Sequence, residues 1–159
     1  MAASVLAFAP IAVCMDDSMA SESGWSLDPQ LARDTALVGE LPLCQVRLID
    51  DANYPWLLLI PRRRNVSEII DLKEGDRAQL MREVARAADV LKEGTGCHKI
   101  NVAALGNVVA QLHVHVIARF RSDPAWPKPV WGFAPPQPYD DHVRTKLIAA
   151  IRKQLAIAK

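Results

Sequence analysis

The stretch VVAQLHVHVIAR, Val108 to Arg119, limits the possible folds more than any other, because its apolar and polar residues alternate with a period of two. That rhythm suits an extended strand, where successive side chains point to opposite faces. Leu112, Val114 and Val116 then form a face that must be buried, while Gln111, His113, His115 and Ile117 form the other. The apolar face needs a covering layer, and a helical pattern upstream can supply it. Leu80, Met81, Val84, Ala88 and Leu91 share one side of a helix, with Gly94 and Gly96 as its stop, which predicts a helix from about Leu72 to Glu93.

The remaining segments arrange themselves around this pair. Two apolar runs, Leu41 to Asp50 and Trp56 to Ile60, are split by the turn formers of DANYP and predict an antiparallel hairpin. Asp28 as a cap and Pro29 in a first turn predict a short helix before it. KINVAAL and LHVHVIA predict two further strands, with Gly106 and Asn107 at the bend between them. Asp123 to Pro138 carries six prolines and two tryptophans, so an extended ordered arm is expected there. Asp140 or Asp141 then caps a closing amphipathic helix with Val143, Leu147, Ile148, Ile151 and Leu155 on one side. The fold class is α+β: an antiparallel sheet of about five strands, a central helix and a C-terminal helix. Residues 23–159 are expected to be a single domain with the arm at 123–138, after a flexible tail at 1–22. The tail's apolar run has no lysine or arginine before it and fits neither a secretory signal nor a spanning helix. Met15 and Met19 offer alternative starts.

Charge narrows the partners. With 159 residues, 50% hydrophobic and 23% charged, and a net charge of +1, the chain carries no field of one sign that would draw a nucleic acid duplex or a membrane. Cys14, Cys44 and Cys97 lie far apart with no CxxC spacing, which argues against a zinc site and a disulfide framework and fits a reducing cytoplasm.

Two imidazoles on one strand face stand ~7 Å apart and can grip one small group together, such as a phosphate or a metal. The plainer alternative is a pair of hydrogen-bonded or surface histidines. A metal would need a third ligand, and none sits at a recognisable spacing; His98 and His142 would serve only if the fold brought them close. No metal or cofactor is therefore expected.

QLHVHVI resembles the signature of the histidine triad (HIT) superfamily of nucleotidyl hydrolases and transferases, His-φ-His-φ-His-φ-φ with φ apolar, except that Gln111 replaces the first histidine. The resemblance runs from about Leu41 to Phe120: the hairpin ID…LLLIPRR, a helix, a strand with Asn101, and Asn107 four positions before the motif. The tryptophans and prolines of DPAWPKPVWG are similar to those of the bacterial branch called HIT family proteins.

The resemblance implies a HIT-like sheet, a homodimer and a nucleotide or nucleotide conjugate as partner. In the family, the residue matching His113 attacks the α-phosphate and forms a covalent nucleotidyl-histidine that water hydrolyses; covalent catalysis splits one hard displacement into two easier ones. Its other ring nitrogen donates to the main-chain carbonyl two residues earlier, here that of Gln111, so the attacking nitrogen stays bare whatever side chain Gln111 carries. His115 would hold a phosphate oxygen or help the leaving group depart, as a cationic or a donating imidazole. Gln111 can donate a hydrogen bond but cannot shuttle a proton. Asp50 or Asp51 matches the group that receives the ribose hydroxyls, or else simply forms the turn. Asn101, after a one-residue gap, and Asn107 match phosphate-contacting positions, and Val108 stands where the family often has a hydroxyl. Asn65 stands where many relatives have an assisting histidine. Within PRRRN the arginines either face phosphate or form a solvated turn. Trp126 and Trp131 would stack on a base, cover a second subunit, or clamp their own arm.

Two functions follow. One is a hydrolase or nucleotidyl transferase acting on a dinucleoside polyphosphate or an adenylate conjugate. The other is a nucleotide-binding or regulatory protein in which Gln111, Val108 and Asn65 have weakened or abolished turnover.

Overall fold

A computed structural model describes residues 23–157. The expected flexible tail at 1–22 lies outside the described residues. Among those residues the elements run α1 (Pro29–Asp34), β1 (Thr35–Glu40), β2 (Cys44–Ile49), β3 (Trp56–Pro61), a 3-10 turn (Ile69–Asp71), α2 (Glu74–Thr95), β4 (Lys99–Ala103), β5 (Val114–Arg119) and α3 (Asp141–Gln154). The five strands form one antiparallel sheet in the order β1-β2-β3-β5-β4.

The alternation in β5 is resolved into two cores. Leu112, Val114, Val116 and Ala118 join Val46, Leu48, Leu57 and Leu59 under α2, which contributes Leu80, Val84, Ala87 and Leu91; Ile151 of α3 and Leu155, which caps it, complete the cluster. On the opposite face Ile117 packs with Trp56, Leu58 and Ile60 of β3, Leu31 of α1, and Ala125 and Val130 of the arm. Covering on both sides explains why WLLLIP lacks alternation: every residue of β3 is buried.

Several boundaries differ from the sequence reading for physical reasons. The long helix stops at Gly96, whose left-handed backbone (φ 65°) closes the C-terminus by donating to the Lys92 carbonyl, and Gly94 lies inside the last turns. β1, TALVGE, was not expected; it is an edge strand with only Thr35 and Val38 buried, and a register shift between Leu37 and Gly39 blurs its rhythm. A side chain at Gly39 would run into that of Ile157. The expected bend at Gly106 and Asn107 is in fact an irregular loop through residues 104–113, so Gln111, Leu112 and His113 precede β5 rather than belong to it.

The arm at 123–138 is pinned by a buried ion pair. Arg119 donates to both Asp123 carboxylate oxygens at 2.8 and 3.1 Å, to Asn101 Oδ1 at 2.7 Å and to the Lys128 carbonyl at 2.9 Å. The Tyr54 and Trp126 rings flank its guanidinium. Further along, Asp51 and Asp50 receive the backbone amides of Gln137 and Tyr139. Among the described residues no helix is long and apolar enough to cross a membrane.

Candidate active site

The second face of the sheet is not fully covered. Between α1, the 104–109 loop and the arm lies a cleft of about 430 Å³, with Leu31, Ile49, Leu58, Leu105, Val108 and Trp131 on its apolar walls. His113 and His115 line it while being 8% and 6% exposed, so a mostly apolar slot ends on two imidazoles. A slot of this kind suits a planar apolar group joined to an anionic one.

Main-chain and side-chain partners determine the tautomer of each ring. His113 Nδ1 lies 2.7 Å from the Gln111 carbonyl oxygen. A carbonyl only accepts, so Nδ1 carries a proton, and in the neutral ring the lone pair is on Nε2. His115 Nδ1 lies 3.0 Å from Trp56 Nε1. An indole N–H only donates, so here Nδ1 is bare and the proton resides on Nε2. The ring centroids are 4.9 Å apart at 71°. One imidazole thus offers a lone pair, and its neighbour offers a neutral N–H. Burial, and after it the charge repulsion of His113, pulls the His115 imidazole down to about 3.

Trp56 is a site residue that the sequence reading missed. In the β3–β5 register it sits opposite Ile117 while Leu58 faces His115, which puts its indole diagonal to His115 on the same face. Strand alternation gives the face, but finding the neighbour requires the pairing of segments far apart in the chain. Trp131 stands edge-on to both Trp56 and His115, at 5.6 and 5.4 Å between centroids. Gln30, Leu31 and Asp34 of α1 complete the wall.

The other expected positions divide. Asn107 and Val108 line the cleft at its exposed rim. Gln111 does not share the face of His113 and His115. Its side chain turns toward the segment before α1, donating from Nε2 to the Ser26 carbonyl and accepting the Asp28 amide at Oε1, both at 2.9 Å. A carboxamide sets an N–H donor beside a carbonyl acceptor, which matches these two backbone groups. Asp50, Asp51 and Asn101 lie outside the cleft lining. Asp50 also meets Arg144, Asp51 receives the Asn53 amide, and Asn101 serves Arg119.

Of the PRRRN arginines, Arg62 donates to Glu40 and to the carbonyls at 41–43, and Arg63 forms a paired contact with Asp76. Arg63, Arg64, Asn65 and Gln111 line a separate polar pocket of about 350 Å³. His98 packs against Phe120 and His142 is exposed on α3, so neither joins the imidazole pair. Among the described residues no group of three His, Cys, Asp or Glu side chains is placed to hold a metal ion.

Comparison with known proteins identifies the family and the fold. Residues 30–122 match the model of the HIT domain. A histidine triad protein from Bradyrhizobium japonicum is 53% identical with a TM-score of 0.81, over 82% of this chain and 98% of that one. A histidine triad (HIT) protein from Sinorhizobium meliloti 1021 is 45% identical with a TM-score of 0.81, over 82% and 97% of the two chains. An AP-4-A phosphorylase of Mycobacterium tuberculosis is 32% identical over 131 residues, which is 74% of this chain and 64% of that relative, so the chain spans less than two thirds of its length. With the domain match covering most of the described residues and the sheet, helices and imidazole pair arranged as above, the chain belongs to the histidine triad family.

Proposed function

We propose that this chain transfers a nucleotidyl group by attack of His113 Nε2 on the α-phosphorus of a nucleoside phosphate derivative, a dinucleoside polyphosphate or an adenylate conjugate. The observation that carries the reading is the 2.7 Å contact between His113 Nδ1 and the Gln111 carbonyl, which in the neutral ring assigns the lone pair to Nε2 of a residue lining the apolar slot. His115 Nε2–H would bind a non-bridging phosphate oxygen, where negative charge builds as the N–P bond forms. Asn107 and the backbone around Val108 would contact the phosphates from the rim. The apolar walls, with Trp131, would take the base. Asp50, Asp51 and Asn101 enter this reading as supports: they hold the arm that brings Trp131 to the cleft.

The acceptor in the second step is water or, as the name of the mycobacterial relative suggests, phosphate. A homodimer belongs to the same proposal, with edge strand β4 and its half-exposed Val102 as a surface for it. A binding protein without turnover is the second reading, favoured by the Gln111 amide being engaged by backbone and by a rim residue, Val108, that is 85% exposed and lacks a hydroxyl. The test is to incubate wild type and His113→Ala with a panel of adenylates, with and without phosphate. Turnover that depends on His113 supports transfer. Tight binding with no turnover in wild type supports the second reading, and turnover that survives His113→Ala refutes the first.

A further inference from the structure

We propose that Trp56 holds His115 as a neutral Nε2–H donor and thereby restricts the reaction to leaving groups that depart without a proton, phosphoanhydride oxygens rather than phosphoramidate amines. The inference deepens the transfer reading above and rests on it.

The argument begins with the indole. Trp56 Nε1–H has no accepting mode, so its 3.0 Å bond to His115 Nδ1 requires a lone pair on that nitrogen. Protonating His115 would remove the lone pair and leave an indole N–H unpaired in a site that is 7% exposed. The ring is also closed in by Trp131 and by His113. Its remaining hydrogen, on Nε2, can be shared with an oxygen but cannot be given up without creating an anionic imidazole. His115 is therefore a donor of a hydrogen bond and not of a proton.

The other groups around the cleft do not fill the gap. The titratable side chains lining it are Asp34, His113 and His115. The small crevice that adjoins it at Gly106 and His113 adds Glu68, and an ionised carboxylate only accepts. The first family position, where a histidine could exchange a proton, is Gln111, whose amide is engaged by Ser26 and Asp28.

The two bond types then part company. When His113 Nε2 forms its bond to phosphorus and a P–O bond to a phosphate breaks, the electron pair leaves on an oxygen whose charge the phosphate chain spreads, and no proton is needed. The His113 ring becomes a cation, with Nδ1–H still donated to Gln111. Water then forms the new P–O bond, the N–P bond breaks, His113 returns to neutrality, and the water's proton passes to solvent. When the breaking bond is P–N, the electron pair would depart on an amide anion unless an acid supplied a proton in the same step. General acid assistance of that kind contributes about 10²–10⁴-fold.

The experiment compares two substrates with the same nucleoside and α-phosphate: diadenosine tetraphosphate and an adenosine 5′-phosphoramidate of a primary alkylamine. Wild type is expected to favour the anhydride in kcat/KM by about 10²-fold or more. In Trp56→Phe, which frees His115 Nδ1 to accept a proton, this ratio should narrow by about tenfold and the pH profile for the phosphoramidate should gain an acidic limb. Equal turnover of both substrates by wild type overturns the proposal. Histidine 15N NMR on the wild-type protein reads the imidazole separately. The Nε2–H form of His115 should persist below pH 6, and titration near the ordinary histidine value overturns the lock. If neither substrate is turned over, the transfer reading fails and the leaving-group restriction with it, whereas a titrating His115 in a protein that turns over substrate sinks this inference alone.

Discussion

Replacing Asp123 by alanine tests how the arm is attached. The carboxylate accepts from Arg119 Nε and Nη2 and from the amides of Phe120 and Ala125, at 2.8 to 3.1 Å, and both members of the ion pair are 2% exposed. Asp123→Ala removes one partner and leaves the Arg119 guanidinium in the interior with only the Asn101 and Lys128 oxygens as acceptors. Breaking a buried pair in this way costs about 3–5 kcal/mol. At about 2–4 °C per kcal/mol for a chain of this size, the melting temperature should fall by roughly 6–20 °C. Because Val130 and Trp131 follow on the same arm, amide exchange should accelerate through 124–138 more than in α2, and nucleotide affinity should drop with the loss of the Trp131 wall. A melting temperature within about 1 °C of wild type, or exchange that rises uniformly, would refute the idea that this pair pins the arm.

Acid should weaken the same joint. Burial pushes the Asp123 carboxyl up, but the Arg119 hydrogen bonds and the Phe120 and Trp126 amides prevail and hold it below the usual value. Its contribution to stability is present above the ordinary carboxylate pKa and is lost as pH falls through the lower folded value, so urea melts at decreasing pH should show a loss that Asp123→Asn lacks. His115 acts in an earlier window. Held near 3 while the unfolded chain titrates near 6.5, it makes the fold lose stability as pH drops between those values, on the order of a few kcal/mol in total, and His115→Gln should flatten that slope. Gln111→Ala removes two hydrogen bonds to the 26–28 segment, costing about 1–3 kcal/mol, and should raise KM by loosening α1. Its main-chain carbonyl remains, so kcat should change far less than in His113→Ala; an equal collapse of kcat would show that the amide itself acts in the chemistry.

Much of the architecture was legible because hydrophobic period survives in single elements. The apolar face of β5 and most of the α2 and α3 stripes declare their buried side within a dozen or so residues, but Met81 and Val143, expected on those stripes, sit at their edges and are 58% and 51% exposed. β1 was hidden because an edge strand with a bulge needs few apolar residues. At the site, the histidine pair could be read from local spacing, whereas the contact of His113 with the Gln111 carbonyl was implied only by the family resemblance. The indole on His115 could not, since Trp56 reaches it only through the β3–β5 register. Asp50, Asp51 and Asn101 carry chemistry suited to ligand contacts, but the same groups also accept from backbone amides, as Asp50 and Asp51 do, or from a guanidinium, as Asn101 does, and those partners depend on where a proline-rich arm lands. Gln111 is similar: its replacement of a histidine is visible in the motif, but its bonds span more than eighty residues of chain.

The central claim is that a main-chain carbonyl leaves one imidazole nitrogen bare for attack on phosphorus. Rapid quenching of a turnover mixture at alkaline pH, followed by digestion and mass spectrometry of the peptide that holds 111–119, measures this directly. The account predicts a nucleotidyl group on His113, absent from His115 and lost in His113→Ala. Steady turnover with no adduct on that peptide, or an adduct on His115, would contradict it.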